Sequence, residues 1–196
     1  LGGIDTKTFD EDYKKIEEKI KNPNVKNLDS FDLRLGNLCN LKCVMCNSQQ
    51  SSQLLVEAQL HPELKEFYGD ENSKDYVWSK QQNFYEWCNK WLPDAINIKF
   101  TGGEPLINPF IIPTLQSIPD DQKQKATLHF VTNLTTMNHN LIKILSKFKS
   151  VQILVSVEGV GKVLDYARFP HTWGNLIENF DLLLKNKGPN VYISVQ

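Results

Sequence analysis

Apolar and polar residues alternate along five short stretches of the chain, and between them apolar positions recur three and four residues apart. Phe31, Leu33 and Leu35 alternate with Asp32 and Arg34, which predicts a strand over 31–35 with one buried face. Four further strands are predicted over 96–101, 127–132, 151–157 and 191–196. Helical spacing fills the intervals. Phe84, Trp87, Cys88 and Trp91 form an aromatic stripe that stops at Pro93, with Cys88 read as a buried core thiol. Leu141, Ile144, Leu145 and Phe148 form a second stripe. Leu176, Ile177, Phe180, Leu183 and Leu184 form a third, begun at Thr172 and closed by Gly188. Ahead of the first strand, Thr8 and Glu11 make a capping box, and Phe9, Tyr13, Ile16 and Ile20 follow at helical spacing. Residues 1–30 therefore read as an N-terminal helical segment that ends near Asn22-Pro23-Asn24. Residues 49–75 are polar and weakly periodic, with one helix predicted around 54–60 and no chemistry assigned.

Strands that alternate with helices imply right-handed βαβ units and a parallel sheet, either open and doubly wound or curled into a barrel. A complete eight-fold barrel takes about 250 residues. Five strands in residues 31–196 therefore fit an α/β fold of partial (β/α) type, a TIM-like barrel of parallel strands with outer helices. The chain starts at Leu1 without a methionine and stops at Gln196 inside the predicted fifth strand, so the expectation is a barrel cut short there, its C-terminal part missing.

With 196 residues, 40% of them hydrophobic, the chain can bury a sizeable core. A formal charge of -1 gives no electrostatic case for nucleic acid or an anionic membrane surface as partner. No apolar run approaches the roughly 20 residues that cross a bilayer, and residues 1–21 lack the apolar centre of a signal peptide. The expected location is cytoplasmic.

The chemistry concentrates in one segment, Leu38-Cys39-Asn40-Leu41-Lys42-Cys43-Val44-Met45-Cys46, directly after the first predicted strand. Three of the four cysteines fall within it, a crowding that suits metal better than disulfides. Three thiolates on one loop can share a polynuclear centre. A 4Fe-4S cubane has four irons, so three protein sulfurs leave one iron open to a small chelating ligand. Structural zinc wants four ligands, and no His or Cys lies at a usual spacing from the triplet; His61, the nearest histidine downstream, has no partner.

This cysteine spacing, after a first strand, resembles the signature of the radical S-adenosylmethionine superfamily. The resemblance implies a 4Fe-4S cluster on Cys39, Cys43 and Cys46, with S-adenosylmethionine chelating the open iron. The reduced cluster would then cleave the sulfonium to methionine and a 5′-deoxyadenosyl radical, which abstracts hydrogen from a substrate. An electron donor of flavodoxin or ferredoxin type is implied as well. Members commonly carry an aromatic residue just before the third cysteine; here it is Met45, whose thioether can pack against adenine.

Later strand ends extend the likeness. Thr101-Gly102-Gly103-Glu104-Pro105 resembles the family's glycine motif, whose backbone carbonyls and glutamate hold the methionine ammonium group. By itself the segment is a turn with a proline stop. Asn133, at the end of the third predicted strand, either faces the cofactor or caps the turn. By the period of two, Leu154, Ser156 and Glu158 share a face of the fourth strand. In the family that strand end carries polar cofactor ligands, which implies Ser156 and Glu158; a solvated rim is the alternative. Tyr166-Ala167-Arg168 resembles a segment of members with twitch or SPASM architecture, whose arginine meets the cofactor carboxylate. That likeness implies a peptide or small-molecule substrate and a second cluster domain after Gln196. Two other functions remain open on the residues: a zinc- or cluster-stabilised binding module without radical chemistry, and a cluster enzyme that modifies nucleic acid.

Overall fold

A computed structural model describes residues 29–68 and 84–196; the helix predicted between Thr8 and Ile20 lies outside them. Five strands form one sheet: β1 (Ser30–Arg34), β2 (Asn97–Thr101), β3 (Thr127–Thr132), β4 (Ser150–Val155) and β5 (Val191–Val195). Their order in the sheet is their order in the chain, and all four pairings are parallel. A doubly wound sheet reverses its strand order at a switch point. Here each crossover steps in the same direction, which is the barrel alternative.

Register sorts the side chains into two faces. Leu33, Phe100, Phe130, Ile153 and Ile193 are partners across the five strands and belong to the main core. One residue earlier, Asp32, Lys99, His129, Gln152 and Tyr192 form a polar row across the opposite face. The period of two alone produces this division. Between β1 and β2 lie α1 (Ser52–Leu60), α2 (Lys65–Tyr68) and α3 (Phe84–Trp91). The stripe on α3 is as predicted: Phe84 and Cys88 are buried, and Trp87 meets Phe31 edge to face at 5.6 Å. Burial pushes the Cys88 thiol up to about 11, consistent with a core thiol.

Between β2 and β3 stand α4 (Ile111–Ser117) and α5 (Asp120–Lys123), which the apolar pattern does not mark. Pro113 obscures α4, yet it sits in the first turn, where an amide has no helical partner to lose. Buried Ile111, Thr114 and Leu115 give that helix its inner face. The helix α6 (His139–Leu145) precedes β4, and α7 (Lys162–Ala167) and α8 (Trp173–Asn186) precede β5. Thr172 caps α8 as predicted, its hydroxyl accepting from the Asn175 amide at 3.2 Å. Its other end differs from prediction. The turn is made at Lys187, in extended conformation, and Gly188 takes no positive φ. Ile177 and Leu184, two of the five stripe positions, face solvent.

Phe100 and Phe130 sit at the centre of the sheet, fully buried and stacked with ring centroids 5.0 Å apart. Replacing such a ring by alanine removes its transfer energy and leaves a cavity, together about 3–5 kcal/mol. Phe130→Ala should therefore lower unfolding stability by that amount in a denaturant titration, whereas Tyr166→Ala, at an exposed ring, should change it little.

Candidate metal and cofactor site

The C-terminal ends of the strands converge on a cleft of about 300 Å3 lined by all three loop cysteines, Gly102, Gly103, Glu104, Asn133, Ser156 and Arg168. Gln196, beyond β5, completes its rim. A larger hollow of about 410 Å3 lies by the starts of β3 and β4, between the exposed Asp120 and Lys147, and carries no thiol.

The cysteine loop is held almost wholly by polar bonds. Leu41 is its single apolar anchor, buried between Cys39 and Cys43. The Ser52 hydroxyl accepts from the Cys39 amide at 3.2 Å and donates to the Cys39 carbonyl at 3.1 Å. Ser51 donates to the Leu41 carbonyl at 2.6 Å, and the Asn37 side-chain amide donates to the Ser48 carbonyl at 2.9 Å. The end of α7 and the segment after it complete the frame. The Lys42 amide donates to the Phe169 carbonyl at 2.7 Å and the Val44 amide to the Ala167 carbonyl at 3.0 Å.

The glycine pair serves this loop first. Gly102 and Gly103 have φ of 75° and 39°, and a Cβ on Gly103 would stand 2.3 Å from the Leu38 carbonyl oxygen. Without that side chain the Glu104 amide reaches the same oxygen at 2.7 Å, joining the β2 end to the start of the cysteine loop. The Glu104 carboxylate then turns inward. It accepts from the Thr132 hydroxyl at 2.6 Å, the Asn133 amide at 2.6 Å and the Leu106 amide at 2.9 Å. Burial nonetheless holds the carboxyl above the usual carboxylate range, against those three bonds and the nearby Arg168.

Asn133 caps the turn and also faces the cysteine loop. Its carbonyl oxygen accepts from the Thr135 amide at 2.9 Å, closing the turn, while its side-chain nitrogen points at the Cys39 sulfur at 3.8 Å. Arg168, the C-cap of α7, directs Nη1 at the Cys43 sulfur at 3.8 Å and gives Nε and Nη2 to the Glu158 carboxylate as a fork. Glu158 and the thiols hold that guanidinium above its ordinary value even though burial opposes its charge. Ser156 is buried beside them at the end of β4. Two predicted residues do not line the cleft: Met45 is half exposed, and Glu158 is joined to it through Arg168.

The thiols differ in proton affinity. Burial raises Cys39, while Cys43 is raised first by its bond to Cys46 and then by burial. Cys46 falls to about 7 because Cys43 donates to it, with Arg168 adding to the effect. Among the described residues, no three or more His, Cys, Asp or Glu side chains converge to hold one metal ion. A cubane spreads its thiolates over different irons, so it asks for a different spacing.

Sequence reasoning misses Ser51, Ser52 and Ser48, whose hydroxyl donates to the Tyr68 carbonyl at 2.7 Å, since hydroxyl-to-backbone bonds have no period. The capping hydroxyl of Ser51 at the start of α1 was their one visible signal. Because Glu104 faces three donors, Glu104→Gln should set its amide against at least one of them. The expected cost is about 1–3 kcal/mol, read as a lower unfolding midpoint, while Glu178→Gln on an exposed face of α8 leaves the midpoint in place.

Comparison with known proteins bears on the family and the fold. The family model described as "Radical SAM superfamily" matches residues 33–195. An uncharacterised protein of Methanocaldococcus jannaschii, MJ0907, is 27% identical over 127 residues, which are 64% of this chain and 36% of that relative. Native anSMEcpe with bound AdoMet shares the fold at a TM-score of 0.57 and 19% identity, covering 84% of this chain and 42% of its own. Streptococcus suis SuiB bound to precursor peptide SuiA gives 0.54 and 15%, covering 98% of this chain and 38% of its own. The chain thus spans about two fifths of the length of each of these proteins. With the family model spanning the sheet and every residue of the cysteine loop, the chain belongs to the radical SAM superfamily.

Proposed function

We propose that Cys39, Cys43 and Cys46 hold a 4Fe-4S cluster with one open iron, and that S-adenosylmethionine binds in the adjoining cleft. The observation that carries this reading is the gathering around one cleft of three thiols from the loop after β1, a glycine turn and a buried carboxylate from the end of β2, and an arginine from the end of α7. Three thiols on one cleft suit a cubane with an exchangeable corner. When bound, cluster and cofactor supply reductive cleavage of the sulfonium, which arms a 5′-deoxyadenosyl group to take hydrogen from a substrate.

The protein's own contribution is to orient and exclude. Glu104 has four lone-pair positions and three donors, so one acceptor position remains for the ammonium of the cofactor's methionine moiety. A cation there would also relieve the cost of burying this carboxylate. Arg168, its Nε and Nη2 engaged by Glu158, keeps further N–H groups on its terminal nitrogens for the cofactor's carboxylate, with the buried Ser156 hydroxyl lining the same cleft. Asn133, bonded toward Cys39, places a second polar group at the cluster's edge.

The electron comes from a donor of flavodoxin or ferredoxin type. Among substrates, peptides are the first to test, because the fold is shared with SuiB, which is seen bound to a precursor peptide. Among the described residues no helix is long and apolar enough to cross a membrane.

Reconstituted with iron and sulfide under anaerobic conditions and given dithionite, the protein should convert S-adenosylmethionine to methionine and 5′-deoxyadenosine. Product chromatography checks this. Cys43→Ala should abolish the conversion, whereas Cys88→Ala, at a core thiol, should retain it. A fully loaded cluster that leaves the cofactor intact would favour a cluster-stabilised binding module instead.

A further inference from the structure

We infer that Arg168 is a positioning residue for the cluster itself, a fixed cation that favours its reduced form, with Glu158 as the opposing charge. This rests on the iron–sulfur reading above and extends it to two residues that ligate no iron.

The backbone sets the pairing before any side chain does. The amides on either side of Cys43, those of Lys42 and Val44, are bonded to the carbonyls on either side of Arg168, those of Phe169 and Ala167. Residues 43 and 168, remote in sequence, are thereby held opposite one another. The guanidinium follows that constraint. Glu158 takes Nε and Nη2 in a fork, which fixes the plane of the group and leaves Nη1 aimed at the Cys43 sulfur at 3.8 Å. Arg168 is buried, while the Glu158 side chain keeps about a third of its surface exposed, 32%. The positive partner therefore stands inside, against sulfur, and the negative one stands outside.

That asymmetry has an electrostatic consequence. A thiolate-bound cubane gains one negative charge when it accepts one electron, so a desolvated cation or a hydrogen bond at its sulfur stabilises the reduced state. Arginine keeps its charge at every working pH, so the bias is constant. Glu158 offsets part of the charge and fixes the direction of the guanidinium. Removing either residue should thus move the cluster's potential, and in opposite directions.

The test is a redox titration of the anaerobically reconstituted protein, reduced by dithionite and followed by electron paramagnetic resonance, with S-adenosylmethionine left out. In the absence of cofactor, a role limited to binding its carboxylate cannot move the result. Arg168→Gln should disfavour reduction about tenfold, a fall of 59 mV for a one-electron couple; Arg168→Lys should fall between it and the parent. Glu158→Gln should shift the potential upward. Equal potentials in parent and Arg168→Gln at equal iron content would overturn the inference. Should Arg168→Gln fail to hold a cluster, Glu158→Gln decides alone, and an unchanged or lowered potential counts against it. Failure of the parent protein to take up any cluster is a different outcome, and it overturns the ligand assignment itself.

Discussion

A buried carboxylate holds the site together. Glu104 bonds through its backbone to the start of the cysteine loop and through its side chain to the ends of β3 and the turn after β2. Strand ends are where backbone groups lose their ladder partners, and a barrel mouth gathers several such ends. One acceptor-rich side chain satisfies three donors there and fixes their spacing. Gly103 is the condition for this arrangement, because any Cβ at that position would collide with Leu38. The cleft is therefore a consequence of how the strand ends are tied, and the thiols take their places on a loop already anchored on both sides.

Electrostatics follows from the same geometry. Buried Glu104 and the thiols of Cys39 and Cys43 resist carrying negative charge, the Cys46 thiol takes it more readily, and Arg168 is a cation set beside the sulfurs. A buried carboxylate of this kind is relieved by a positively charged neighbour. The polar row from Asp32 to Tyr192 lies on the same face of the sheet, one layer below the mouth, where Lys99 pairs with Asp32 at 3.3 Å.

The parts of the fold legible in the sequence are those governed by period. Five strands, the stripes on α3 and α6 and three of the five positions on α8 are set by which residues must leave water, and the register of Leu33, Phe100, Phe130 and Ile153 confirms the phase. The parallel connectivity follows, though the choice between open sheet and barrel needed the strand order. Pro113 hid α4 because a proline reads as a break, and only its place in the first turn makes it harmless. Within the site, the cysteines and the glycine turn were legible because their chemistry is local. The serines that brace the loop, the triple bonding of Glu104 and the pairing of Arg168 with Glu158 depend on neighbours brought in by the fold, which no spacing encodes. Met45 shows the converse: it sits in sequence next to Cys46, but about half of it is exposed.

The most direct test of the central claim is electron paramagnetic resonance of the anaerobically reconstituted, reduced protein, recorded with and without S-adenosylmethionine. An open iron at the mouth of the barrel predicts a cluster signal whose shape changes when the cofactor is added. No cluster signal, together with one zinc per chain by elemental analysis, would contradict it and make the cysteine loop a structural element.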